Sequence, residues 1–71
     1  NSEKHIGKTY IATIEGRISG ENAYMGRTYM DVPGIDSNIF IITVEELMTG
    51  DFVKVKVTGI NDYDLIGQLD E

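Results

Sequence analysis

The 71-residue sequence contains no cysteine. That absence excludes a disulfide framework, a thiolate-held zinc or iron–sulfur group and a cysteine nucleophile within this chain. Histidine occurs once, as His5. It sits in a polar leader, where the ordinary reading is a solvated linker residue, not a general base or a metal ligand. Basic residues are few, six Lys and Arg against twelve Asp and Glu, for a formal charge of −6 and a pI near 4.5. Nucleic-acid binders ordinarily carry the opposite surplus, because phosphate neutralisation supplies most of their affinity. An acidic surplus keeps a domain soluble, and beyond that it favours a basic partner. Long apolar runs are also missing: the longest, Ile39 to Ile42, is far short of the ~20 residues of a bilayer span. Neither a membrane crossing nor a secretory leader is expected.

Composition is otherwise that of a folded soluble protein, 41% apolar and 25% charged. A chain this short forms one domain and removes only about 60% of its unfolded surface from water, so its core must be economical. Asn1 to Gly7 reads as a linker or the end of a preceding element, and the domain is expected from Lys8 to Glu71. From Lys8 onward, short β-branched and aromatic runs alternate with turn residues, and no segment holds helical spacing for more than a turn or two.

Five strands are expected. Lys8 to Glu15 places Tyr10, Ala12 and Ile14 on one face, with Ile11 interrupting the alternation. Asn22 to Asp31 carries Gly26 in its middle, a position where small barrels bulge or bend. Pro33 lacks an amide donor and with Gly34 forms a turn. The apolar run over Asn38 to Ile42 suggests a central strand covered on both sides. Thr43 and Glu46 have capping-box spacing, with Gly50 placed as a left-handed cap, which predicts one short helical turn. Phe52 to Thr58 alternates Val53, Val55 and Val57 with Lys54, Lys56 and Thr58 at period two. Gly59 to Asp62 turns the chain into a fifth strand, Tyr63 to Leu69. The expected fold is all-β: a small five-stranded antiparallel barrel of the oligonucleotide/oligosaccharide-binding type (OB-like), with the helical turn between strands 3 and 4. Its core should draw on Tyr10, Ala12, Ile14, Ile39, Ile41, Val53, Val55, Val57, Leu65 and Leu69.

Catalytic patterns are thin. Asp62 and Asp64 lack the further oxygen donors and closing glutamate of an EF-hand loop, and Gly16 to Gly20 lacks the Lys-Ser/Thr of a phosphate-cradling loop. Neither a catalytic residue nor a metal ligand is expected here. Barrels of this type bind RNA through cations and aromatic platforms, for which Arg27, Lys54, Lys56, Tyr24 and Tyr29 are the candidates. Strand tyrosines are more ordinarily packing residues, and alternating lysines are ordinarily a solvated strand face.

Three stretches together carry a family resemblance. They are Gly7-Lys8-Thr9-Tyr10 with Ile14-Glu15-Gly16-Arg17; Gly26-Arg27-Thr28-Tyr29-Met30-Asp31-Val32-Pro33 with Ile35-Asp36; and Gly50-Asp51-Phe52-Val53-Lys54-Val55-Lys56-Val57 with Tyr63-Asp64-Leu65-Ile66-Gly67. In order and spacing they resemble the TRAM domain of methylthiotransferases. The second and third resemble its RimO-type branch, whose members methylthiolate an aspartate of a small-subunit ribosomal protein. The resemblance implies a parent enzyme with 4Fe-4S clusters and S-adenosylmethionine on other domains, and no catalyst or cofactor in this chain.

It also implies a cytoplasmic, monomeric domain. Its partners would be a basic ribosomal protein and the parent's catalytic domain, with RNA ranked behind them. The acidic balance agrees. The expected docking residues are Asp31, Asp36, Asp62 and Asp64 with Tyr29; the RNA alternative rests on Arg27, Lys54, Lys56 and Tyr24. A purely structural role would pack Tyr10, Ile11 or Ile66 on the catalytic domain.

Overall fold

The computed structural model describes residues 5–28, 38–61 and 64–70. Five strands form: β1 (Thr9–Arg17), β2 (Ala23–Thr28), β3 (Asn38–Ile42), β4 (Phe52–Asn61) and β5 (Asp64–Leu69). They close into a barrel in the order β1-β2-β3-β5-β4, with β4 returning to pair with β1. Four of the pairings are antiparallel, but β3 and β5 run parallel, Ile39 opposite Leu65 and Phe40 opposite Ile66. An all-antiparallel barrel was expected. The parallel seam follows from connectivity: β4 crosses back to β1, so β5 can close the gap only beside β3 and in its direction.

Period-two alternation decides what fills the interior. Ala12, Ile14, Ile39, Ile41, Val55, Val57 and Leu65 are buried, with Tyr10, Val53 and Leu69 half-buried against them. Those ten are the expected core. Tyr24, Leu47 and Ile60 join it without having been expected. Ile11 does not break the alternation of β1; it points outward in step with Thr9.

Curvature comes from two irregularities. Opposite Gly26 the register skips Glu15, so the bulge lies on β1, not on β2 where the glycine suggested it. Gly26 serves close approach instead: a Cβ there would meet Ile41 Cδ1 at 2.9 Å and the Thr13 carbonyl at 3.1 Å. The second skip is at Thr58, whose hydroxyl donates to the Ile66 carbonyl at 3.3 Å. Because the strand bulges there and does not turn, β4 continues past Gly59 to Asn61. The turn expected around Pro33-Gly34 lies outside the described residues.

The helical turn expected over Thr43 to Gly50 does not form. Non-local partners take the groups it needed. Gly50 N–H donates to the Ile14 carbonyl at 2.8 Å, and Ile14 N–H donates to the Asp51 carbonyl at 2.9 Å. The Thr43 hydroxyl accepts from Glu45 N–H, one residue too early for a capping box. Gly50 does adopt the left-handed conformation, with φ 95°.

Leu47 reaches the core, and its N–H donates to the Tyr24 hydroxyl at 2.9 Å. Tyr24→Phe removes the acceptor that this amide has among the described residues. The expected loss is about 1–2 kcal/mol, read as a lower melting temperature with faster exchange at the Leu47 amide. An unchanged melt would mean that the hydroxyl contributes nothing.

His5 also departs from expectation. It is buried, its Nδ1 lies 2.6 Å from the Tyr10 hydroxyl, and the two rings meet edge to face at 5.7 Å. The backbone explains why a residue in a polar leader is packed: Lys8 N–H donates to the His5 carbonyl, Gly7 N–H to Val57 and Val57 N–H to Lys8. The segment is strapped along β4, which carries the imidazole onto Tyr10.

Candidate functional site

With the interior filled by side chains, function falls to the outward residues, which form two different surfaces.

The first covers β1 and β4. Lys54 and Lys56 are exposed on successive outward positions, opposite Ile11 and Thr9. Thr13 stands between Arg27 on β2 and Phe52 on β4. Phe52 is 68% exposed. Arg27 lies 3.6 Å from the Glu15 carboxylate in a solvent-exposed ion pair, an arrangement worth less than about 1 kcal/mol. The three cations expected for RNA therefore share a face, and the aromatic beside them is Phe52. Tyr24, one of the two expected stacking residues, is corrected by its burial: it is 5% exposed, packed in the core, and offers no face to a base. Phe52 was legible only as the first residue of the valine strand; the period of two puts it in phase with Lys54 and Lys56, on the outward face.

The second surface covers β3 and its neighbours. Phe40 and Ile42 point outward, Phe40 half-buried and Ile42 51% exposed. A strand covered on both sides was expected here; one side of it is open. Met25 stands opposite Phe40 on β2, and Ile66 stands opposite it on β5. Ile18, Ala23, Phe40, Ile42 and Ile66, together with Glu21 and Asn61, line an open groove of about 300 Å³. Asp64, the expected docking residue that is described, begins β5, is half-buried and pairs with Asn61. It stands on the outward face two positions from Ile66. Asp31, Asp36, Asp62 and Tyr29 lie outside the described residues. Among the described residues, no group of three or more His, Asp or Glu is placed to hold a metal ion, and no helix is long and apolar enough to cross a membrane.

A family model for the TRAM domain matches residues 6–69. The chain belongs to the TRAM domain family. Its relatives include ribosomal protein uS12 methylthiotransferase RimO of Lachnoclostridium phytofermentans, 47% identical over 93% of this chain and 15% of the relative. RimO of Alkaliphilus oremlandii is 45% identical over 94% of the chain and 16% of its own length. RimO of Clostridium botulinum strain Hall is 48% identical over 94% and 14%. This TRAM domain thus spans about 15% of the length of the relatives it matches. On OB-type barrels the face over strands 2 and 3, flanked by the first and last loops, is the one that takes oligonucleotides. In this TRAM domain that face holds the apolar groove, with Glu21 among its lining residues; Arg27 stands on β2 itself beside Asn38 of β3, and Lys54 and Lys56 lie beyond β1 on β4.

Proposed function

We propose that this TRAM domain is the substrate-recognition part of a RimO-type methylthiotransferase. It docks a basic small-subunit ribosomal protein, uS12 by the name its relatives carry, so that a separate radical SAM domain can methylthiolate an aspartate. The observation that carries this reading is the character of the face where barrels of this type take oligonucleotides. Its groove is apolar, takes Glu21 into its lining and, among the described residues, is lined by no Lys or Arg, on a chain of charge −6. Acidic surfaces accelerate encounter with a basic protein and turn phosphate backbones away. The contribution to catalysis is proximity and orientation at a distant centre.

The 4Fe-4S clusters implied for the parent enzyme do not fit this chain. It has no thiolate to offer a cluster, so they belong to other domains, and this segment supplies no catalytic residue. The domain acts as a monomer in the cytoplasm, alongside the catalytic domain of its parent.

The proposed docking residues are Asp31, Asp36, Asp62 and Asp64 with Tyr29. Replacing the four aspartates with lysine is expected to weaken uS12 binding at least tenfold at physiological salt, measured by calorimetry. Unchanged affinity would place the docking face elsewhere.

A second reading, RNA binding, is favoured by one observation, the exposed Phe52 among Lys54, Lys56 and Arg27. Amide shifts decide between the two. Shifts with uS12 and not with a tRNA anticodon hairpin support docking. Shifts with the hairpin alone, centred on Phe52 and the cations and weakening steeply with salt, would replace it with RNA binding.

A further inference from the structure

We infer that the groove over β3 and β5 receives an apolar side chain of the basic partner, an anchor flanked in that partner by Lys or Arg. This rests on the docking reading above and names the contact that would give it affinity.

Outward positions of a solvated strand are ordinarily polar, since alternation sends the apolar residues inward. Here Phe40 and Ile66 face outward directly opposite each other across the parallel seam, and Ile42 lies two residues beyond Phe40 at 51% exposure. The space they enclose with Ile18 and Ala23, about 300 Å³, lies at the lower end of sites that bury a ligand. A single bulky side chain with its adjoining backbone suits it. Protein interfaces draw most of their energy from such central anchors, while surrounding polar groups exclude water and set orientation.

Charge selects the occupant. Among the described residues Glu21 is the one acidic or basic residue lining the groove, and Asp64 stands at the other end beside Asn61. The cations around it are set off: Gln68 separates Lys56 from Ile42, Arg27 stands beside Asn38 with its guanidinium on Glu15, and Arg17, although next to Ile18 in sequence, pairs with the buried Tyr24 and lines a separate hollow with Thr43 and Glu46. A nucleic-acid strand would bring phosphates against two carboxylates over an apolar floor. A polypeptide with an apolar residue between basic ones meets both features.

The test titrates the 71-residue chain with uS12 of Lachnoclostridium phytofermentans. Ile42→Gln, at a site exposed enough to leave the barrel intact, is expected to weaken binding about tenfold, and Ile42→Gln with Ile66→Gln to weaken it further. Val44→Gln, on the β3–β4 loop outside the groove and 82% exposed, should bind as the unaltered chain does. Melting curves confirm that each variant remains folded.

If Ile42→Gln and the double variant bind within twofold of the unaltered chain while the aspartate variants lose affinity, docking stands and the anchor is overturned. If the unaltered chain does not bind uS12, both fall. If β3 and β5 amides are protected only in the full-length enzyme, without response to uS12, the groove belongs to the catalytic part and the anchor is likewise overturned.

Discussion

A chain carrying Val55→Asp is expected to have no folded population at 25 °C. Val55 is fully buried in β4, between Tyr10 on β1 and Leu69 on β5. Among the described residues no Lys or Arg is buried to meet a carboxylate placed there, and burying an unpaired charge costs several kcal/mol even after relaxation and water penetration. At roughly 0.05–0.15 kcal/mol per residue, a domain of this length has about 4–10 kcal/mol in all. The expected result is a collapsed amide spectrum and no cooperative melt. Lys54→Asp, one residue away on the exposed face, should fold normally, within about 0.5 kcal/mol of the parent. A cooperative melt for Val55→Asp with only a slight loss would overturn the inward assignment of the valines.

Gly67→Val should be nearly as damaging, by crowding. A Cβ at Gly67 would stand 2.5 Å from Val55 Cγ1, 2.6 Å from the Lys56 carbonyl and 3.2 Å from Ile39 Cδ1. The carbonyl belongs to the backbone of a paired strand and cannot rotate away. β5 must therefore move off β4 or off β3, and overpacking that shifts backbone costs about 3 kcal/mol or more at its upper end. Alanine scanning of the glycines should rank Gly67→Ala above Gly26→Ala, whose closest neighbour is the mobile end of Ile41, and above Gly59→Ala, which meets nothing within 4 Å. Denaturant midpoints give the order directly. A Gly67→Ala variant as stable as Gly59→Ala would refute the tight β4–β5 approach.

The barrel was legible wherever one face is buried and the other wet. Val53, Val55 and Val57 alternate with lysines, so their direction follows from period alone, and the same holds for Ala12 and Ile14. Tyr24 was ambiguous because a tyrosine suits either a stacking surface or a buried position with a bonded hydroxyl; only the arrival of Leu47 from the β3–β4 loop decides between them. The Thr43 to Gly50 segment had good local helix signals, but its backbone finds partners on β1, which no local window contains. Phe40 and Ile42 read as doubly buried because an apolar run looks the same whether its second face meets the protein's own core or an external partner. That ambiguity is itself informative, since the outward half of the run is the groove. Of the candidate site, the acidic balance and the outward alternation of Lys54 and Lys56 were legible, whereas the face they share with Arg27 needed β1 between β2 and β4, and the groove needed β5 beside β3.

The position of β5 also dictates when the domain can exist during its own synthesis. Both seams that finish the barrel, to β3 and to β4, are made by this final strand. A nascent chain that has emerged only through β4 has two unsatisfied strand edges and a core open along one side, the state most prone to pair with other chains. Folding therefore waits for Leu69 to clear the ribosomal exit tunnel, and the long-range pairing it then requires is intrinsically slow. Prematurely terminated chains never seal. They keep the edges of β3 and β4 unpaired, the feature by which strands pair with other chains.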